Sequence, residues 1–554
     1  MRSRLANCDE RKEQHQPHCG PDYTKGFLPH RLIDIQSSTL EVVCRADILE
    51  SLPTGDSVPY YAALSYCWGS LLDAANQLTL LTSCLKRERF IFSSHDVPAV
   101  VRDAVAVAQS LSLRYLWVDA LCIVQDDLSD WETESSQMNQ IYGCAYITIC
   151  SLTASCNLSF LDPEILTTSI DFRSTINHEV RGQYAITYSY CVSLRSGAGI
   201  LVDRLMENRW SRRGWTFQEA LLSERFLCFE QYDVSFSCSD RVAYLSGHVG
   251  ERPIETLRMM QVDIREPQES IWAVWYQLVL ARYCDRIFTN CEDVLPAISG
   301  VARVFHKTFG ANYVAGLWDT DLAVGLMWEV EANRHRGDLS GLLRSQQPTT
   351  LTDLLKALGS PPYVAPSWSW AGRQVWIDSP IVSYSQVWRD VHDECHMSAS
   401  VTVAGYNPFG RLKDAWIDFS GTVVHIGPYT TIRPSGEFPG HYGMDLDKGG
   451  SVICRFDWYA NTTVLRGRFK MALLGSFIEH PEADNDPDAR VSDPRDQTRT
   501  AELDARERTA FGIILHKHPR SNDFLRVGVF FSMISRGGGV RYFSCYEAER
   551  LRII

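Results

Sequence analysis

Three short segments contain the side chains best suited to carry out chemistry, provided that the fold brings them together. They are Ser65 and Trp68 in the first segment, Asp119, Gln125, Asp126 and Asp127 in the second, and Arg212, Arg213, Trp215 and Glu219 in the third. Tryptophan rings can stack on a flat ligand, and arginines form paired hydrogen bonds with phosphate. A carboxylate can hold a sugar hydroxyl or stabilise a positive centre. The set would suit a ligand that has a flat ring, a sugar and phosphates.

A second interpretation of these residues needs no ligand. Arg212 and Arg213 could instead pair with Asp126, Asp127 or Glu219 in a solvated ionic network. The tryptophans could then belong to the hydrophobic core. The residue types alone leave both interpretations open.

The elements that would position these side chains follow from hydrophobic patterning. Residues 113–149 have the pattern strand, loop, helix, strand, which is typical of a βαβ unit in a parallel sheet. Residues 60–69 are apolar and bounded by turns, which predicts a second buried strand. Residues 94–111 have the spacing of an amphipathic helix, with a capping serine and a proline at its start. Asp119 follows the first strand of the βαβ unit, and ligands bind at that edge of such sheets.

The whole chain is predicted to be an α/β domain followed by a helical segment and a β-rich C-terminal domain. The predicted segments are a disordered leader at 1–25, the α/β domain at 26–235 with an insertion at about 151–205, a helical region at 236–360, and the β-rich domain at 361–554 with a disordered loop at about 479–509. The loop is highly charged and has no aromatic residue, so it cannot contribute to a core.

Composition narrows the class of protein. The 554 residues are 45% hydrophobic and only 22% charged, which is typical of a globular chain. The net charge of −13 argues against binding to nucleic acid or to an anionic membrane. The N-terminus lacks the apolar region of a secretory signal, and no apolar run is long enough to span a membrane. The 17 cysteines are scattered without a CxxC pair, so we expect a cytoplasmic protein with reduced thiols.

Other kinds of site find little support in the sequence. His392, Cys395 and His396 have ligand-like spacing but no nearby partner pair, so no metal site is predicted. The phosphate-binding, dinucleotide-binding, α/β-hydrolase and zinc-protease motifs are missing from suitable contexts. A cysteine and a histidine could still meet in space as a nucleophile pair, although no local pattern favours it.

The three segments, in this order, resemble the fungal heterokaryon-incompatibility (HET) domain family. The resemblance is carried by YAALSYCWG (61–69), LRYLWVDALCIVQDD (113–127) and RRGWTFQEALLSERFLCF (212–229). It is supported by LPHRLIDI (28–35), LPAISGVA (295–302), YVAGLW (313–318) and APSWSWAG (365–372). The family more often has Asn or Asp where this chain has Val124, so a polar role at that position is not expected.

The resemblance implies both a fold and a site. The HET family is regarded as a remote relative of TIR domains, which are flavodoxin-like parallel sheets whose first strand ends in a serine and an aromatic residue. Some TIR domains that cleave NAD have a glutamate four residues after a tryptophan, as Trp215 and Glu219 are spaced here. By this resemblance Glu219 would be the catalytic carboxylate. The pocket for NAD, as substrate rather than as bound cofactor, would be lined by Ser65, Trp68, Asp119, Arg213 and Trp215.

Three functional hypotheses follow. In the first, the chain is a heterokaryon-incompatibility effector that triggers programmed cell death on non-self recognition, by cleaving NAD when it self-associates. In the second, the same fold is a non-enzymatic signalling module that acts through oligomerisation and an unknown protein partner. In the third, the protein is HET-like but has no role in cell death.

Overall fold

The computed structural model describes residues 26–53, 57–85, 89–162, 167–173, 176, 180–187, 209–230, 234–238, 242–244, 249–250, 275–276, 283–284, 286–330, 348, 350–373, 377–378, 391–436, 438, 440–447, 449–458, 464–478 and 508–554. The predicted disordered leader and residues 479–507 of the predicted disordered loop lie outside these ranges. The chain divides into two compact units, residues 1–261 and 262–554. Each unit is described by itself.

The first unit is built on one large mixed sheet, which has ten strands in the described residues. These strands are β1 Arg31–Asp34, β2 Thr39–Cys44, β3 Tyr61–Ser65, β4 Phe90–Ser93, β5 Tyr115–Trp117, β6 Ile147–Ser151, β9 Phe226–Phe229, β10 Val234–Ser237, β11 Val242–Tyr244 and β12 Val249–Gly250. β7 Thr167–Arg173 and β8 Arg181–Thr187 pair as a separate antiparallel hairpin. This hairpin lies where the sequence predicts an irregular insertion.

The middle of the sheet is parallel and its two sides are antiparallel. The spatial order is β12-β11-β10-β9-β6-β3-β5-β1-β2-β4. β5 and β6 both pair in parallel with β3, and β6 pairs in parallel with β9. Numbered by their own order in the chain, the four parallel strands therefore run 2-1-3-4 across the sheet. The prediction of an α/β domain with a parallel sheet is confirmed, and antiparallel strands extend it on both sides.

Eight helices in the described part of the first unit connect these strands. They are α1 Arg45–Glu50, α2 Leu71–Asn76, α3 Thr82–Leu85, α4 Ala99–Ser110, α5 Asp119–Cys122, α6 Leu128–Ser136, α7 Met138–Gly143 and α8 Thr216–Leu222. α4 buries the predicted apolar face, including Val100, Ala104 and Ala108. It begins at Ala99 instead of Ser94, because the Asp96 carboxylate accepts the Ser93 N–H at 2.7 Å and closes a separate turn before the helix.

The second unit is mainly β, as predicted for the C-terminal part of the chain. Its strands are β13 Tyr313–Val314, β14 Leu317–Trp318, β15 Glu329–Val330, β16 Ile377–Asp378, β17 His392–Asp393, β18 Cys395–Val403, β19 Leu412–Ile426, β20 Tyr429–Pro434, β21 Tyr442–Asp445, β22 Ser451–Phe456, β23 Val464–Arg466, β24 Phe469–Phe477, β25 Thr509–Lys517, β26 Phe524–Ser532 and β27 Ala548–Ile553. β24, β25, β26, β27 and β19 pair in a closed ring. Closure leaves these five strands with fewer free edges.

Four helices in the described part of the second unit accompany this sheet. They are α9 Ser299–Phe309, α10 Leu322–Gly325, α11 Leu351–Leu358 and α12 Val540–Phe543. α9 lies within the helical region predicted at 236–360. Residues 271–284 of the same predicted region lie largely outside the described residues.

Two of the downstream motifs meet in the second unit. The Gly316 carbonyl accepts hydrogen bonds from the indole of Trp370 at 2.8 Å and from that of Trp275 at 3.1 Å. The Ser369 hydroxyl donates to the neighbouring Ala315 carbonyl at 2.5 Å. Gly316 has a φ of 95°, and a Cβ there would lie 2.8 Å from the Trp370 ring. Only glycine fits this turn, so the motifs at 313–318 and 365–372 have a packing role.

A buried cluster of charges crosses the core of the second unit. Arg526, with no exposed surface, donates to the Asp457 carboxylate at 2.7 Å, and Arg373 approaches the same oxygen at 3.4 Å. The Arg526 guanidinium also lies 3.5 Å from the centroid of the Trp328 ring. Burial lowers the pKa of both arginines, and the charge of Asp457 opposes that decrease. The carboxylate of Asp457 is therefore the shared counter-charge of two buried guanidinium groups.

Candidate functional site

The carboxyl end of β3 is the starting point of the candidate site. β3 is buried along its whole length, and Ser65 is its last residue, with 1% of its surface exposed. Gly69 follows with a φ of 97°, and a Cβ there would lie 2.5 Å from the Asp73 carboxylate. Glycine is thus required for the turn that leads from β3 into α2, whose N-terminus is capped by Ser70.

The turn at 209–215 and the first turn of α8 bring Glu219 to this strand end. The Thr216 hydroxyl donates to the carbonyls of Trp210 at 2.6 Å and of Arg213 at 2.9 Å, which fastens the turn to the helix. Inside α8, the Ser223 hydroxyl donates to the Glu219 carbonyl at 2.6 Å. The helix is buried on most of its surface, so Glu219 is held inside the protein with 7% exposure.

Ser65 and Glu219 are in direct contact. The Ser65 hydroxyl donates to Oε2 of Glu219 at 2.5 Å, and the Trp210 indole donates to Oγ of Ser65 at 2.8 Å. Burial raises the pKa of Glu219 to about 7, against the hydrogen bond from Ser65 and the charge of Arg213. A carboxyl with such a pKa is populated in both its acid and its base form near neutral pH, as general acid–base catalysis requires.

Asp119 and Trp68 form a second pair at the same edge of the sheet. The Trp68 indole donates to Oδ2 of Asp119 at 2.9 Å, and the backbone N–H of Ala120 donates to Oδ1 at 2.7 Å. Burial raises the pKa of Asp119, whereas these hydrogen bonds and the charge of Arg213 favour its carboxylate form. Trp68 is half-buried. The hydrogen bond to Asp119 fixes the orientation of the Trp68 ring, and part of the side chain remains accessible to solvent.

Arg213 lies between the two carboxyl groups. Its guanidinium donates to the Tyr66 carbonyl at 2.5 Å, which anchors it beside the end of β3. Burial works against its charge, but Cys67, Glu219 and Asp119 outweigh this effect and raise its pKa above the ordinary value. The charges of Arg213 and Glu219 therefore stabilise each other, which is compatible with either interpretation left open by the sequence.

Trp215 is placed differently from the other predicted pocket residues. It precedes α8, and its half-buried ring packs edge-on against Trp131 with the ring centroids 5.8 Å apart. Ser65, Trp68, Asp119, Arg213 and Glu219 are brought together by the contacts above. Trp215 packs between the start of α8 and α6, four residues before Glu219.

The acidic run after Asp119 stabilises local structure. Gln125 donates to the Asp119 carbonyl at 3.1 Å, and Asp126 accepts both the backbone N–H and the hydroxyl of Thr82 at 2.7 Å. Asp127 caps α6 by accepting the backbone N–H groups of the next turn. Of the two interpretations left open by the sequence, the ionic pairing of Asp126 and Asp127 with Arg212 and Arg213 gains no support from these contacts.

Asp127→Ala is expected to lower the free energy of unfolding by about 1 kcal/mol, because α6 loses its N-terminal cap. The carboxylate accepts the N–H groups of Ser129 at 2.9 Å and Asp130 at 3.3 Å. Chemical denaturation measures the effect. Asp127→Asn is the matched control, since asparagine caps as well as aspartate and should change the stability by only a few tenths of a kcal/mol. Equal losses in both variants would contradict the capping role.

Sequence reasoning missed two residues of the site. Trp210 lies two positions before the arginines, and Tyr142 is the last tyrosine of α7. The Tyr142 hydroxyl donates to the Leu64 carbonyl at 3.1 Å, and burial raises the pKa of Tyr142, with a smaller contribution from the charge of Glu219. Trp210 stands among polar residues in the chain and Tyr142 on an apolar helix face, so no sequence pattern indicated the partners of their polar atoms.

Two further searches concern the described residues only. Within them, we found no cluster of three or more His, Cys, Asp or Glu side chains arranged to hold a metal ion. None of the helices in this part of the chain combines the length and apolar composition needed to cross a bilayer.

Comparison with known families gave one result. Residues 61–219 match the family model described as Heterokaryon incompatibility protein (HET), which confirms the expected family for this part of the chain. The match begins at the first residue of β3 and ends at Glu219. Comparisons with curated proteins and with solved structures gave no match.

Proposed function

We propose that this chain, which contains a HET domain, is a heterokaryon-incompatibility effector that cleaves NAD between nicotinamide and ribose, with Glu219 as the catalytic residue. The observation that carries the proposal is the buried Glu219 carboxyl, which meets Ser65 at the carboxyl end of β3. Loss of NAD would then be the signal that leads to cell death.

The arrangement of the sheet supports this assignment. The order 2-1-3-4 of the parallel strands is that of flavodoxin-like sheets, in which ligands bind where the strand order reverses. Here the reversal lies between β3 and β6, which are neighbours on either side of that point. Ser65 ends β3 and Glu219 lies against it. A relation to TIR domains, which share this kind of sheet, would account for the same placement.

The side chains around Glu219 suit the parts of NAD. Trp68 offers a partly open ring for stacking against a flat base, and its edge is fixed by Asp119. Arg213 supplies a positive charge next to Asp119 and Glu219. A phosphate bound by Arg213 would therefore compete with these two carboxylates for its charge. Stacking of aromatic rings and charge-assisted hydrogen bonds are the usual means of holding such ligands.

The proposed reaction is hydrolysis. The bond between C1′ of the ribose and the ring nitrogen breaks, and the electron pair leaves with neutral nicotinamide. The carboxylate of Glu219 stabilises the positive charge that develops on the ribose. Water adds to C1′, Glu219 accepts its proton, and the proton then passes to solvent. The products are nicotinamide, ADP-ribose and one proton.

Glu219→Gln is expected to lower the rate of NAD cleavage by at least 100-fold, because the variant keeps the shape of the side chain but cannot carry the charge or accept the proton. The experiment measures NAD and nicotinamide over time with the purified full chain at high concentration. Glu50→Gln is the control, since Glu50 is an exposed glutamate of α1. Equal NAD loss in wild type and Glu219→Gln would remove Glu219 from the mechanism.

A non-enzymatic role is the second candidate, and one surface feature favours it. Leu71 and Leu72, in α2 close to the end of β3, are 82% and 71% exposed. Large apolar side chains exposed together mark contact surfaces. We propose that the chain is cytoplasmic, self-associates when active and receives its signal from a protein partner. If cells die on overexpression while NAD stays constant, and Leu71→Ser with Leu72→Ser prevents death, the scaffold function replaces the enzymatic one.

A further inference from the structure

We propose that Trp210 and Ser65 are positioning residues for Glu219, and that together they confine proton exchange at this carboxyl group to the oxygen Oε1. The catalytic consequence rests on the proposed function, but the arrangement of hydrogen bonds does not. The prediction from sequence made Ser65 a pocket residue that touches the ligand. The structure assigns it a different part, because its hydroxyl lies between an indole and a carboxyl group.

The direction of this hydrogen-bond chain follows from the chemistry of its members. An indole N–H can only donate, so the Ser65 oxygen accepts from Trp210 at 2.8 Å. Serine has a single proton, and in this geometry it is donated to Oε2 of Glu219 at 2.5 Å. Oε2 must therefore act as an acceptor in both charge states. A proton taken up by the carboxyl group resides on Oε1.

Burial makes this arrangement persistent. Trp210 and Ser65 are each only 1% exposed, so water cannot compete for the indole or for the hydroxyl. Breaking either hydrogen bond would leave a buried polar group without a partner, which is costly. Glu219 itself keeps 7% exposure. Ser65 consequently acts through Glu219, and a ligand would meet the carboxyl group instead of the hydroxyl.

The other groups facing Glu219 come from five parts of the chain. Arg213, in the turn before α8, favours the charged form, whereas Asp119 of α5 disfavours it. Tyr142 of α7 favours the charged form, and the thiols of Cys67 and Cys150, after β3 and in β6, lie within electrostatic reach. Among the groups that keep the pKa of Glu219 from rising further, the hydrogen bond from Ser65 has the largest effect.

Ser65→Ala is expected to raise the pKa of Glu219 by about one pH unit, because a hydrogen bond to the charged form is lost. Infrared titration of the full chain measures it through the band of the protonated carboxyl, with Glu219→Gln as the blank that identifies this band. Trp210→Phe is expected to raise the pKa of Glu219 by less, since the Ser65 hydroxyl can still donate its hydrogen bond to Oε2 in this variant. Ser65→Thr retains the hydroxyl and should preserve the wild-type midpoint.

Ser151→Ala is the matched control. Ser151 is a fully buried serine at the end of the adjacent parallel strand β6, but its hydroxyl pairs with Thr153 at 2.7 Å. Its replacement should leave the midpoint unchanged. An unchanged midpoint in Ser65→Ala overturns the proposal. If Ser65→Ala does not fold, Trp210→Phe decides, and a midpoint equal to that of wild type overturns the proposal in the same way.

The enzymatic function and the positioning role can fail separately. If wild-type protein cleaves no NAD, the enzymatic function is lost, while the shift of the Glu219 midpoint still tests the hydrogen-bond chain. If NAD is cleaved and the midpoint does not move in Ser65→Ala, only the positioning role is lost. If both hold, the pH profile of NAD cleavage should move with the infrared midpoint in Ser65→Ala, which a purely structural serine would not cause.

Discussion

Glu219→Gln is expected to remove the contribution of this residue to the loss of stability that the wild-type first unit shows between about pH 4.5 and pH 7. The unfolded chain releases the proton of this glutamate near 4.5, whereas the folded protein holds it up to a pKa of about 7. The folded state therefore binds the extra proton within this window. Its contribution to stability is complete below 4.5 and is lost as the pH rises through 7.

The size of this effect follows from the same two values. A difference of about 2.5 pH units corresponds to about 3 kcal/mol of unfolding free energy. The cost arises because burial disfavours the charged carboxylate above pH 7. Glutamine carries no charge at any pH, so the variant should lack this part of the pH dependence.

The measurement compares thermal and chemical unfolding of wild type and variant at pH 5 and pH 8. The difference in unfolding free energy between the two pH values is compared for each protein. Any destabilisation by the glutamine amide that does not depend on pH cancels in this difference. Glu50→Gln is the control, and this exposed glutamate should leave the pH dependence of wild type unaltered. If Glu219→Gln loses stability with pH as steeply as wild type, Glu219 does not hold its proton to neutral pH.

Asp457→Asn is expected to lower the free energy of unfolding of the second unit by about 3–5 kcal/mol, because it leaves buried guanidinium groups without their counter-charge. Arg526 and Arg373 share one oxygen of Asp457. Their side chains are 0% and 6% exposed, and that of Asp457 is 2% exposed. Water cannot replace the lost charge at such depth. Chemical denaturation, fitted with a separate transition for each unit, measures the change.

Asp418→Asn is the matched control for this prediction. Asp418 also pairs with an arginine, Arg552, at 2.9 Å, but the two side chains are 51% and 48% exposed. Solvent screens such a pair, and its loss should cost no more than about 1 kcal/mol. Similar losses in the two variants would mean that burial of Asp457 does not determine its contribution.

The parts of the fold that sequence could predict are those with uninterrupted local patterns. β3, β5 and β6 are continuous apolar runs, and α4 has regular spacing, so local rules identified them. The antiparallel additions to the sheet depend on pairing between distant segments, such as Ile33 with Leu116. Single-sequence patterns contain no record of such pairing.

The site was predictable to a similar extent. The spacing of Trp215 and Glu219, together with the family resemblance, pointed to the glutamate that lies at the end of β3. The roles of Ser65 and Trp210 were not predictable, because the sequence around a serine or a tryptophan does not show which partner its polar atom will have. Asp126 and Asp127 were candidates by their position after a strand, where acidic residues can either bind a ligand or stabilise local structure; here they bond Thr82 and cap α6.

The contact between Ser65 and Glu219 also sets the earliest time at which the end of β3 can reach its final structure. The two residues are 154 positions apart in the chain. At about 5–20 residues per second, a ribosome needs on the order of ten seconds to reach the glutamate after it has made the serine. Long-range parallel pairing is slow to form even after that. A nascent chain therefore carries β1 to β6 before it carries the glutamate, and this end of the sheet can be completed only after α8 has been made.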